Sequence, residues 1–175
     1  MKSDTILIDN QGNGFKDAIE QTKRAAQFRG LNAKETLQLQ LCTEEMLCLA
    51  RSVTGEMKAS FWLECEGKHF DLHMSTKTVM DIEKREQLIS SSTSRKNEAA
   101  KSFLGKLRDA FEEAMLSDPD YYDDIPTEAM EDLANRVIEL NEWDKYEQSI
   151  LQKVADEVKI GIVRNTVDMT VSKSF

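Results

Sequence analysis

The sequence predicts an α+β two-layer sandwich with an antiparallel-rich sheet. Three observations carry that expectation. A short apolar run, 5–8, precedes two helical stretches; two alternating segments form a hairpin at 59–75; and a second alternating pair ends at Val171. The chain has 175 residues, the length of one domain, so 1–175 is read as a single domain.

The first strand, Thr5-Ile6-Leu7-Ile8, ends in the turn formers Asp9-Asn10-Gln11-Gly12-Asn13-Gly14. From Phe15, Ala18, Ile19, Thr22, Ala25 and Ala26 share one helical face, and Arg29-Gly30 supplies a basic last turn and a helix-stopping glycine. Asn32 with Glu35 is a capping box that opens a second helix, expected to run to about Val53 and stop at Thr54-Gly55. Ala59, Phe61, Leu63 and Cys65 then alternate with Ser60, Trp62 and Glu64. After the turn Glu66-Gly67-Lys68, Phe70, Leu72 and Met74 alternate with Asp71, His73 and Ser75.

Residues 81–116 are helical in pattern, broken by Ser90-Ser91-Ser92-Thr93-Ser94, with an apolar stripe through Phe103, Leu104, Leu107, Ala110, Phe111, Ala114 and Met115. Pro119 and Pro126 bracket an acidic loop at 118–124. Thr127 caps a helix carrying Met130, Leu133, Val137 and Ile138, and a last helix holds Tyr146, Ile150, Leu151 and Val154. Val158, Ile160 and Ile162, a turn at Arg164-Asn165, and alternating Val167, Met169 and Val171 complete the pattern.

Charge narrows the function. With 23 Lys+Arg against 32 Asp+Glu the net charge is -9, and the field of such a chain repels nucleic acid and anionic lipid. No stretch reaches the roughly 20 apolar residues of a membrane helix, and Met1-Lys2-Ser3-Asp4-Thr5 leads into no secretory apolar core. The three cysteines are an odd number, and Cys42 and Cys48 point from different faces of one helix. They read as packed thiols of a reducing compartment, so the expected location is the cytoplasm.

The densest chemistry lies in the second helix, where Leu37, Leu41, Glu44, Cys48 and Arg51 share a stripe by 3–4 spacing. Glu44 between Leu41 and Cys48 is a candidate buried acid. The alternative is that Glu44 or Glu45 sits at the stripe's edge, paired with Arg51 or solvent. His69, Asp71 and His73 share a strand face, but same-face neighbours about 7 Å apart do not converge on one ion. They read as a polar hairpin face, and no metal is expected. The 118–124 loop lacks the central glycine of a calcium loop. The serine run, followed by Arg95 and Lys96, reads as a flexible joint between helices rather than a phosphate-gripping or phosphorylated loop. No Walker A, GxGxxG, Ser/His/Asp or Cys/His arrangement can be nominated from sequence.

Read as a whole, the order resembles the GHKL (histidine kinase-like) ATPase superfamily, and within it the anti-sigma regulatory factors. Arg29-Gly30-Leu31 followed by the Leu41-to-Glu45 helix is similar to the approach to the superfamily's N-box. The hairpin Phe61-Trp62-Leu63-Glu64 with Phe70-Asp71-Leu72-His73-Met74 resembles the strands leading to its adenine-reading motif. Val154-Ala155-Asp156-Glu157-Val158 and 166–171 with Lys173 resemble its closing helix and strands. The resemblance implies a mixed, mostly antiparallel Bergerat-type sheet with helices on one face, and a helical insertion at about 81–140 in place of the ATP lid.

The departures carry the functional expectation. The N-box Glu should be followed four residues later by a magnesium-binding Asn; from Glu44 that position is Cys48, and from Glu45 it is Leu49. The motif Asp-x-Gly-x-Gly is replaced by Ser75-Thr76-Lys77-Thr78-Val79, so Thr76 and Thr78 stand at degenerate nucleotide positions. Glycines there let the backbone approach the ligand. The resemblance therefore implies a non-catalytic, protein-binding regulator with no bound cofactor. Its partner would be a sigma factor or an anti-anti-sigma-type antagonist, and a homodimer is a further expectation. The alternatives are an active, ATP- and magnesium-binding serine kinase-type anti-sigma factor using Glu44 or Glu45, and an unrelated α+β scaffold.

Overall fold

A computed structural model of the chain describes residues 1–9, 11–54, 58–100 and 150–175. The elements run β1 (Ile6–Asp9), α1 (Phe15–Phe28), α2 (Ala33–Thr54), β2 (Lys58–Glu66), β3 (His69–Lys77), α3 (Ile82–Ser91), a 3-10 turn at Glu98–Ala100, β4 (Glu157–Val163) and β5 (Thr166–Ser174). The sheet has five strands in the order β1-β2-β3-β5-β4. This is the α+β layering that the sequence predicts.

Each of these strand pairings is antiparallel, where a mixed sheet was expected. Two tight turns account for much of this. Gly67 lets β2 reverse into β3, and Arg164-Asn165 reverses β4 into β5, so each hairpin is antiparallel by construction. The hairpins then join through β3 and β5, with His69 opposite Ser174 at one end and Lys77 opposite Thr166 at the other.

Register puts the apolar residues in rows. Phe61, Met74, Met169 and Ile160 lie side by side across four strands, and Leu63, Leu72, Val171 and Val158 form the next row. All eight are buried. At roughly 1.5–3 kcal/mol for each fully buried large apolar side chain, rows of this kind are the principal source of stability.

Local signals in the sequence set the helix ends. The α1 C-terminus is a Schellman motif: Gly30, at φ 73°, donates its N–H to the Gln27 carbonyl, and Leu31 donates to the Ala26 carbonyl. Leu31 is buried there. The α2 capping box forms as read, with the Asn32 N–H on Glu35 Oε2 at 2.7 Å and the Glu35 N–H on Asn32 Oδ1 at 2.9 Å. Between α1 and α2, the Thr22 and Thr43 hydroxyls meet at 3.0 Å, and both also bond carbonyls of their own helices, so two buried polar groups are satisfied.

The serine run does not simply join two helices. It ends α3, with Ser91 and Ser92 buried, and the chain then runs along β4 as far as Glu98–Ala100. Of the expected insertion at 81–140, residues beyond Ala100 lie outside the described residues. So do the Phe103 stripe, the acidic loop, the Thr127 helix and Tyr146.

The β1–α1 turn depends on Gly14. Its φ is 81°, and a Cβ built on it would lie 2.2 Å from the Leu7 carbonyl oxygen. Gly12, at φ 90°, has open space around the same position. Gly14→Ala is expected to lower unfolding free energy by at least about 2 kcal/mol, and Gly12→Ala by only about 1, the left-handed backbone cost alone. Urea denaturation of the two variants checks the difference; equal losses would remove the carbonyl clash as the cause.

Candidate functional site

The N-box candidates lie on α2, whose buried face is Thr36, Leu39, Cys42, Thr43, Met46, Leu47, Leu49 and Ala50. The stripe read from sequence is the opposite one. Leu37 is 67 % exposed, Glu44 and Arg51 are exposed, and Leu41 and Cys48 are half-buried. Glu44 is thus not a buried acid. The reason lies in the helix having apolar residues on both stripes: the one richer in small residues and threonine fits against α1 and the sheet. Glu45 is half-buried. Of the two positions that would hold the magnesium-binding Asn, Cys48 is half-buried and Leu49 belongs to the core.

The second half of the site is the end of β3. Thr76 stands between Ala59 of β2 and Val167 of β5, and its hydroxyl donates to the Lys58 carbonyl at 3.2 Å. Lys77 is still paired, with Thr166, and the Thr78 N–H bonds the Asn165 carbonyl at 2.9 Å. Thr76 and Thr78 are buried. From there Met80 turns into the core and Asp81 caps α3, accepting the Lys84 N–H at 2.8 Å; α3 in turn packs on α2. The fold therefore brings α2 and the 76–81 stretch to the same side of the sheet. At Thr76 and Thr78 it offers neutral, β-branched residues, the first bonded through its hydroxyl to β2 and the second through its N–H to the β4–β5 turn.

Two hollows elsewhere, of about 500 and 490 Å³, are lined by other residues. One lies along Ile8, Asp9, Asn13, Lys58 and Ala59, the other beside Arg29, Glu64, Cys65, His69 and Asp71. In the first, Asp9 accepts from the Gln11 and Asn13 N–H groups and from the Asn13 side chain. The Asn13 side-chain bond is the leading reason its carboxyl stays below the ordinary value. In the second, Arg29 bonds Cys65 through both the thiol sulfur, at 3.2 Å, and the carbonyl, at 3.1 Å, tying the end of α1 to β2.

The outer face of the sheet carries an arrangement that sequence reading missed. His69, Asp71 and His73 of β3 each face a hydroxyl of β5: Ser174 at 2.8 Å, Ser172 at 2.6 Å and Thr170 at 3.1 Å. His69 Nε2 also lies 3.3 Å from Asp71, and His73 stacks on Trp62 with ring centroids 5.1 Å apart. The alternation of Thr170, Ser172 and Ser174 was visible in the sequence, but its partner strand was not. Among the described residues, no three His, Cys, Asp or Glu side chains are placed to hold a metal ion, and no helix is long and apolar enough to cross a membrane.

No protein-family model matches the chain, and no curated protein matches it. The functional reading therefore rests on its residues and fold.

Two measurements check this site. Burial pushes the Cys42 thiol up to about 11, so near pH 8 its alkylation should run about 100-fold slower than that of an open thiol; labelling followed by peptide mass spectrometry reads it. The His73 ring titrates below 6.5, because half-burial disfavours the cation more than Glu64 and Asp71 favour it. A depressed histidine stabilises the fold above its unfolded value, and that contribution is lost as pH falls through 6.5 toward the folded value. His73→Gln should flatten the stability profile in that window, and an NMR midpoint at or above 6.5 would contradict the assignment.

Proposed function

We propose that the chain is a GHKL-type domain whose nucleotide site is degenerate, acting without catalysis as a protein-binding regulator in the manner of an anti-sigma factor. One observation carries the loss of nucleotide binding. Where the superfamily's Asp-x-Gly-x-Gly would approach adenine, β3 runs on to Lys77, and Thr76 and Thr78 are buried in sheet-derived hydrogen bonds. In that alignment Ser75 stands at the Asp and presents no carboxylate to an adenine amino group, while Lys77 and Val79 stand at the glycines and carry the Cβ atoms that a glycine lacks. At the magnesium-binding position, Cys48 (counted from Glu44) puts a thiol, or Leu49 (counted from Glu45) a core side chain, where an amide oxygen is required.

Support for the fold assignment is the succession itself. One strand, two helices and a hairpin precede α3, and a second hairpin inserts its later strand beside β3. By resemblance, the partner is a sigma factor or an anti-anti-sigma-type antagonist, and the domain pairs with itself.

Calorimetric titration with ATP and with ADP, each with magnesium, tests the reading. The expected result is no heat and no change in thermal midpoint at millimolar nucleotide. Saturable binding, which would raise the midpoint by mass action, would replace it with the active serine kinase-type reading. In that case Glu44→Gln and Glu45→Gln would separate the two candidate bases by their effect on phosphoryl transfer.

A further inference from the structure

The β4 strand is at the end of the sheet order, and the chain covers its free edge with its own side chains. Thr93 donates its N–H to the Val158 carbonyl at 2.9 Å and accepts the Val158 N–H on its hydroxyl at 2.7 Å. Asn97 repeats the exchange one contact further on: its amide nitrogen donates to the Ile162 carbonyl at 2.9 Å, and its amide oxygen accepts the Ile162 N–H at 2.8 Å. Between these anchors Arg95 is left-handed, at φ 51°, so the segment touches the edge as a strap and does not continue as a strand. The Asn97 side chain thus reproduces the donor and acceptor of a peptide group. Because amides alternate sides along a strand, Ile160 also turns its N–H and carbonyl toward this edge.

We infer that residues 93–97 form a releasable strap that keeps the β4 edge closed, and that its release lets β4 pair with the β4 of a second copy. The sequence of β4 favours that occupant. In an antiparallel pairing centred on Ile160, Val158 faces Ile162, Lys159 faces Gly161 and Glu157 faces Val163. All seven residues of the strand are used, no like charges oppose one another, and the apolar residues of both copies lie on the same face. The two sheets would become one continuous sheet, with the helices of both copies on one side. An exposed edge of this composition is a template for such pairing, and covering it with a loop is a known safeguard.

Light scattering after size exclusion, with hydrogen exchange of residues 157–163, tests the inference on the full chain. Of the four bonds between strap and β4 described above, Asn97→Ala removes two, together with the Ala99 N–H bond to the Asn97 amide oxygen, and Thr93→Val removes one. Circular dichroism establishes whether each variant is folded. The expected result is a twofold rise in mass of Asn97→Ala relative to the parent, with a smaller dimer fraction for Thr93→Val. Adding Val163→Glu, which at the half-buried end of the strand sets a glutamate against Glu157 of the other copy, should return the mass of Asn97→Ala to that of the parent. Faster exchange at 157–163 without a rise in mass would overturn the second copy as occupant. Unchanged exchange in both variants would overturn the strap, as would loss of folding in both, since the segment would then be a structural necessity and not a releasable cover. Heterogeneous aggregates that Val163→Glu does not disperse would also overturn it. None of these outcomes depends on whether nucleotide binds.

Discussion

The pairing of β3 with β5 is the constraint on which the rest of the structure depends. It runs from His69 opposite Ser174 to Lys77 opposite Thr166 and joins two hairpins that are far apart in sequence. Without it, Phe61 and Met74 would lack Met169 in their row, Leu63 and Leu72 would lack Val171 in theirs, and β4 would have no sheet to end. Because side chains alternate strictly, the same register fixes both faces at once. It gathers the apolar rows against the helices and sets a hydroxyl opposite each of the outward residues His69, Asp71 and His73.

The pairing also bears on the chemistry. A strand that ended at Ser75 could give way to a flexible, glycine-containing loop. Here the sheet's hydrogen bonds continue to Lys77, and the Thr78 amide is held by Asn165 of the second hairpin. The stretch 76–78 is thereby used to complete the sheet. Among the described residues, the solvent side of α2 carries Leu37, Glu44 and Arg51.

Local signals were legible in the sequence. The capping box at Asn32 and Glu35, the glycine stop at Gly30, and the period-two pattern on both sides of Gly67 depend on residues a few positions apart, and each forms as read. Two kinds of information were not legible. The first is the choice between apolar stripes on α2: Leu37 and Leu41 looked as suitable for burial as Leu39 and Met46, and only packing against α1, through Thr22 and Thr43, selects between them. The second is anything that depends on non-local pairing. The hydroxyl ladder, the mimicry of a peptide by Asn97 and the antiparallel joining of β3 to β5 follow from contacts between residues 65 to 105 positions apart. Local pattern carries no record of such contacts.

That separation has a consequence for how the molecule is made. The bond between His69 and Ser174 spans 105 positions, so the ribosome completes the first hairpin long before it supplies the strand that belongs beside it. At roughly 5–20 residues per second, β3 waits on the order of several seconds to tens of seconds with one edge unpaired. Hairpins form in microseconds, so β2 and β3 have time to pair and open many times, with the far edge of β3 unpaired, before β5 is made. Sheet closure by a distant strand is the slow, high-contact-order step of the fold. The nascent chain is therefore most vulnerable to wrong partners after synthesis of β3 and before synthesis of β5, and this is the interval in which a chaperone would have most to shield.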